Sequence, residues 1–203
     1  NSLSHSTVIT PDAAWPNIHM VEVVRSCPEL CRFCLASYLN LPFRTSALED
    51  KLIPAVEKGL TVTKRIGLLG ASVTQHPQFV DLLTWLSQAH FDDIRLSISS
   101  VRAGTVSPSM TRILAQRQCK SITIAIESGS EKMRKIINKK LTEEEIYRAA
   151  RYAKEGGLKA LKLYGMVGLP DESEDNVQAT AEVLLRIQQK TPGLRLTLGL
   201  STF

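Results

Sequence analysis

The sequence predicts an α/β protein, a partial (β/α)6 barrel of the TIM type with a parallel sheet inside and helices outside. Two observations carry this expectation. Strand-like and helix-like apolar patterns alternate along the chain, with six strand candidates and a helical crossover between each consecutive pair, and parallel strands need such crossovers, which run right-handed. The length of 203 residues falls short of the roughly 250 that eight βα units take, so the sheet is expected to close about three quarters of a barrel. In that architecture functional groups gather on the loops after the carboxyl ends of the strands.

Residues 1–17 are polar, carry Pro11 and Pro16 and show no periodicity, and they read as an extended lead-in or linker. The core, residues 18–203, opens on the apolar run Ile18–Val24. After a cysteine-rich loop, Leu48, Leu52, Val56 and Leu60 recur at helical spacing, and Ser46 with Glu49 reads as a capping box. Arg65–Leu69 is the second strand, followed by a helix from about Gln78 to Ala89, and Ile94–Ile98 is the third. Ser107 and Pro108 open the next helix. The fourth strand, Ser121–Ile126, leads into a helix around Glu131–Ile137 and a second one capped by Thr142 and Glu145 and ended at Gly156–Gly157. Leu158–Tyr164 is the fifth strand. The helix near Glu174–Gln189 places Val177, Ala181, Leu184 and Ile187 on one face, and Pro192 and Gly193 lead into the sixth strand, Leu194–Leu200.

The composition, 43% hydrophobic, suits one sizeable core. A net charge of +5 is compatible with an acidic partner but does not require one. The sequence has neither the roughly 18 uninterrupted apolar residues of a membrane span nor the layout of a secretory signal, and a soluble, cytoplasmic protein without membrane association is expected. The chain starts without methionine and stops after a strand-like segment, as a core taken from a longer multidomain protein would. Of the four cysteines, three fall within eight residues, which favours metal ligation over disulfides.

Those three lie in Arg25-Ser-Cys27-Pro-Glu-Leu-Cys31-Arg-Phe33-Cys34, directly after the first strand. Structural zinc asks for four protein ligands, and Cys119 precedes the fourth strand, at the opposite end of the barrel. A [4Fe–4S] cluster held by three cysteines instead leaves one iron open to a small molecule. A zinc knob remains the other reading of the spacing alone.

The pattern CxxxCxxC, with aromatic Phe33 before the last cysteine, resembles the signature of the radical S-adenosylmethionine (SAM) superfamily. The resemblance implies a [4Fe–4S] cluster on Cys27, Cys31 and Cys34, with the methionine moiety of SAM chelating the open iron. It further implies one-electron reduction of the sulfonium and a 5′-deoxyadenosyl radical that takes hydrogen from a substrate. An electron donor such as flavodoxin or ferredoxin is then required.

Other strand ends extend the resemblance. Gly70-Ala71-Ser72 follows the second strand, where the family has two glycines and a glutamate that contacts the methionine ammonium; here the carboxylate is missing, and Ser72 or Thr74 offers a hydroxyl. Ser72 reads equally well as part of an ordinary turn. Ser100-Val-Arg102 resembles a family turn in which Arg102 faces the cofactor or substrate, against the alternative of a surface arginine. Glu127-Ser128-Gly129-Ser130 is similar to an ESGS stretch of the cobalamin-binding and methylthiotransferase-like branches, which implies ribose and carboxylate contacts for Glu127, Ser128 and Ser130; serine and glycine at a helix start also read as plain capping. Gly165-Met-Val167-Gly168 resembles the GxIxG segment that runs along the adenine. The neighbouring Lys132, Arg134 and Lys135 read as a solvated face.

By branch resemblance, methyl or methylthio transfer onto a macromolecule, RNA or protein, is the expected chemistry, with cobalamin supplied, if used, by a domain not in this chain. No catalytic side chain is named, because radical chemistry needs few dedicated acids or bases. The competing class is a zinc-stabilised nucleic-acid-binding module, motivated by Lys132, Arg134, Lys135, Lys139 and Lys140. Against it stand an aromatic content of 5% and the interleaved Glu143, Glu144 and Glu145.

Overall fold

The structure is a computed structural model that describes residues 4–99 and 101–203; Ser100 lies outside the described residues. In chain order the strands are β1 His19–Glu22, β2 Val24–Arg25, β3 Arg44–Thr45, β4 Arg65–Leu69, β5 Arg95–Ile98, β6 Ser121–Glu127, β7 Ala160–Val167 and β8 Arg195–Thr202. The α-helices are α1 Leu35–Leu39, α2 Ile53–Leu60, α3 Phe79–Leu86, α4 Pro108–Gln116, α5 Glu131–Ile136, α6 Glu143–Glu155 and α7 Glu174–Lys190.

Two three-stranded parallel sheets, β1-β4-β5 and β6-β7-β8, form the wall. A parallel bridge between Val101 and Ile124 joins them just past the end of β5, so the strand order follows the chain order as in a barrel. The partial barrel expected from the alternation is therefore present. Period-two patterning sets its faces: on β6 Ile122, Ile124 and Ile126 are at most 1% exposed and pack into the helix layer, whereas Thr123 and Ala125 line the interior. One apolar cluster spans both sheets and the helices around them.

The helix signals hold at two starts. Ser107 accepts the Met110 amide with Pro108 at the first helical position, and Thr142 with Glu145 forms a full capping box. They fail at another. The helical stretch leading into α2 opens as a π-turn at Leu48–Leu52 with Ala47 as its N-cap and no side-chain cap. Ser46 is committed elsewhere: its amide donates to the Val23 carbonyl and its carbonyl accepts from His76 Nε2 at 2.7 Å.

The buried face of α7 also differs from the apolar periodicity. Thr180, Val183 and Ile187 are buried, Val177 is 42% exposed, Ala181 is exposed and Leu184 is half-buried. This orientation brings Thr180 Oγ1 to the Gly129 amide, from which it accepts a hydrogen bond at 2.9 Å. Residues 4–6 of the lead-in lie along the outer edge of β1, with His5 bridging Val21 and the Ser6 amide donating to the Met20 carbonyl at 2.8 Å. No helix among the described residues is long and apolar enough to cross a membrane.

Candidate cofactor site

A cavity opens at the carboxyl ends of the strands, and Cys27, Cys31 and Cys34 all line it. Their loop is held from several sides. Asn138 Nδ2 donates to the Glu29 and Leu30 carbonyls at 3.2 and 2.9 Å, the Arg32 amide donates to the Ile137 carbonyl at 2.9 Å, and the Tyr38 hydroxyl donates to the Leu30 carbonyl. Ser26 and Leu30 sit at φ +68° and +53°, conformations that bulky L residues adopt only when their surroundings enforce them. Phe33 packs against the small apolar cluster of Met133, Ile137 and Leu169. Burial pushes the Cys31 thiol up, and Lys139 opposes that shift.

At the end of β4, Gly70 takes φ +153°, and a Cβ there would lie 2.5 Å from Val24 Cγ2 and 2.7 Å from the Val24 carbonyl oxygen. Only glycine lets β2, and the cysteine loop that follows it, approach this closely. Ala71 and Ser72 line the cavity. The Ser72 hydroxyl donates to Gln75 Oε1, Gln75 Nε2 donates to Glu29 Oε1 at 2.6 Å, and Arg102 Nη2 lies 3.1 Å from Glu29 Oε2. Arg102 is thus a cavity residue, its side chain 17% exposed, and not a free surface arginine. Thr74 is occupied by the Arg102 amide at 3.1 Å and by the Thr105 hydroxyl at 2.6 Å.

At the end of β6 a register shift between Ala125 and Glu127, with Glu127 at φ +67°, turns the Glu127 carboxylate into the cavity. Lys139 Nζ holds it at 3.0 Å, and the two side chains are 14% and 9% exposed. Ser128 is fully buried and its hydroxyl accepts the Ser130 amide. The Ser130 hydroxyl accepts from the Met133 amide and from Asn176 Nδ2. Arg134 departs from the solvated face expected of it: it is 1% exposed and donates to the carbonyls of Ser128, Gly129 and Leu141 at 2.8 to 2.9 Å. A guanidinium with several donors in a fixed fork can bind several carbonyls at once. Lys132 and Lys135 are exposed, as expected.

Val167 and Gly168 stand apart from the cavity. The Val167 carbonyl accepts the Phe203 amide, and the Gly168 amide donates to Glu172 Oε2 at 2.6 Å. Gly165 and Met166, one step earlier, line an adjoining cavity that shares Phe33, Ala125, Glu127 and Tyr164 with the first. Sequence reasoning missed Glu29, Gln75, Lys139 and Tyr164. Glu29 carried a readable signal, an acid between two cysteines of the loop. Lys139 carried none, since it stands in a run of mixed charge.

The donor set suits a cluster. Each cysteine of an iron–sulfur cube binds a different iron, and these thiols surround a cavity. Among the described residues no group of three or more His, Cys, Asp or Glu converges where a single ion could be held. Cys119 is buried at the start of β6 with its thiol on the Ser121 carbonyl, remote from the other three.

The family model for the radical SAM superfamily matches residues 21–184. The chain belongs to this superfamily. Its members are enzymes that use a [4Fe–4S] cluster and SAM. The chain is 33% identical over 181 residues to the uncharacterized protein MJ0966 of Methanocaldococcus jannaschii, covering 88% of this chain and 39% of that protein. It is 26% identical to the tRNA-2-methylthio-N(6)-dimethylallyladenosine synthase of Chlorobium phaeobacteroides, over 63% of this chain and 30% of that one. The chain therefore spans well under half of these relatives. Among solved structures, the radical SAM methyltransferase TsrM of Kitasatospora setae, with tryptophan substrate and a SAM analog bound, superposes with a TM-score of 0.73 at 13% identity, covering 93% of this chain and 38% of TsrM.

Proposed function

We propose that this chain is the core of a radical SAM enzyme that binds a [4Fe–4S] cluster on Cys27, Cys31 and Cys34 and transfers a methyl or methylthio group onto a macromolecule, RNA or protein. The observation that carries the reading is the convergence of the three thiols, Ser72, Arg102 and Glu127 on one cavity. When bound, the cluster and SAM supply one-electron reductive cleavage of the sulfonium and the 5′-deoxyadenosyl radical.

The chain's own residues bind and orient. Glu127, fixed by Lys139, offers a carboxylate to ribose hydroxyls. Ala71 and Ser72 let the ligand approach the backbone, and Phe33 closes the loop side. We read the adjoining cavity beside Gly165 and Met166 as the adenine subsite, with Val167 and Gly168 continuing that strand end. Group transfer is supported by the tRNA methylthio synthase among the relatives and by the methyltransferase TsrM, which also has a structure with cobalamin and a [4Fe–4S] cluster bound. Cobalamin, where the reaction uses it, would come from a domain not in this chain, and electrons from a donor such as flavodoxin or ferredoxin.

The test is electron paramagnetic resonance of anaerobically reconstituted, dithionite-reduced protein with and without SAM. A [4Fe–4S]⁺ signal that changes shape on adding SAM is expected; a silent sample carrying stoichiometric zinc overturns the reading. Alanine at Cys27, Cys31 or Cys34 is expected to abolish cluster assembly, measured as bound iron and sulfide, while Cys119→Ala retains it.

A further inference from the structure

We infer that Glu29, on the cysteine loop, provides the carboxylate that binds the amino group of the SAM methionine moiety, the group that Gly70-Ala71-Ser72 lacks. The inference rests on the proposed function. An amine bound to a metal through its lone pair keeps its N–H bonds as donors, and wherever these are buried they need acceptors. The carboxylates lining the cavity are Glu29 and Glu127. Glu127 stands on β6, is held by Lys139 at 3.0 Å, and is the carboxylate assigned above to the ribose hydroxyls. Glu29 lies between Cys27 and Cys31 in the chain, so it borders the position where the cluster is held.

Its preparation for a ligand is visible in its partners. Gln75 fixes Oε1 at 2.6 Å and Arg102 fixes Oε2 at 3.1 Å, with the side chain 13% exposed. An ionised carboxylate accepts about four hydrogen bonds, and these two leave lone pairs for a ligand. Gln75 also accepts from Ser72, so the network links Glu29 to the turn where the carboxylate is missing. The carboxylate has moved from the β4 turn to the cysteine loop, with Gln75 as the tether.

The experiment measures SAM affinity by equilibrium dialysis, together with iron and sulfide content, on anaerobically reconstituted wild type, Glu29→Gln, Glu29→Gln with Ser72→Glu, and Gln75→Met. Glu29→Gln is expected to keep its cluster and weaken SAM binding by about tenfold to a hundredfold, the worth of a hydrogen bond to a charged group. Ser72→Glu on that background is expected to restore most of the loss, a rescue that a purely architectural Glu29 would not allow. Gln75→Met, away from the cysteine loop, is expected to weaken SAM binding about threefold to tenfold with the cluster intact. Unchanged affinity in Glu29→Gln overturns the inference alone, as does loss of the cluster that Ser72→Glu leaves unrepaired, which would assign Glu29 to the loop's architecture. A wild type that assembles its cluster and binds no SAM overturns the proposed function and this inference with it.

Discussion

The turns after β4 and β6 each present a motif of small residues at the mouth of one cavity, yet they divide it differently between site and scaffold. After β4, Gly70 admits β2 and the cysteine loop, and the next two residues, Ala71 and Ser72, both face the cavity. After β6 only Glu127 does. Ser128 and Gly129 offer their carbonyls to Arg134, the Gly129 amide binds α7 through Thr180, and Ser130 caps α5. A turn whose chain continues into a tightly packed helix pair has most of its polar groups claimed by that packing. A motif of four letters then contributes one functional side chain.

The sharpest way to break this division is Arg134→Met. Each of three buried carbonyls loses a charged donor, and an unsatisfied buried polar group costs about 1–3 kcal/mol, against which the relief of burying a guanidinium, already visible in its lowered pKa, counts in part. The expected loss is about 3 kcal/mol, read from urea unfolding of the cluster-free protein. A loss under about 0.5 kcal/mol, the range of ordinary surface substitutions, would mean that the β6 turn does not depend on this fork and that the residues beside it are free for a ligand.

The two glycines give the next comparison. A Cβ at Gly129 would meet the Ala179 carbonyl oxygen at 2.3 Å, a backbone atom that cannot swing away. Gly129→Ala is expected to cost about 2–3 kcal/mol by overpacking, with a lowered unfolding midpoint. Gly70→Ala meets Val24 beside the cysteine loop, so its larger effect is expected in iron and sulfide content after reconstitution. If Gly129→Ala impairs reconstitution more than Gly70→Ala at matched stability, the assignment of one turn to scaffold and the other to site fails.

The same contrast explains what the sequence could and could not disclose. The barrel was legible because β-strands such as β6, with Ile122, Ile124 and Ile126 at alternate positions, write their two faces into the chain. The caps at Ser107 and Thr142 were legible because capping is local, whereas Ser46 has the right letter and a backbone already paired with Val23. The thiols announce themselves by spacing. Arg134 and Lys139 do not, since charged residues are usually solvated and only the tertiary fold brings carbonyls or a carboxylate within their reach. Glu29 differs: an acid between two cysteines is a readable signal, and only the partners that fix it, Gln75 and Arg102, lie far off, 46 and 73 positions along the chain.

The smallest expected effect isolates a single hydrogen bond of the scaffold. Thr180→Val keeps the shape of the side chain and removes the oxygen that accepts the Gly129 amide at 2.9 Å, leaving a buried N–H without its partner. About 1 kcal/mol of stability should be lost, and the Gly129 amide should exchange with solvent roughly five times faster by NMR if it opens locally. Because Thr180 lies behind the turn on α7, SAM affinity of the reconstituted protein should not change. An affinity that falls further than the stability does would show that the Gly129 amide positions the ligand as well as the helix, and the β6 turn would then serve the site with more than Glu127.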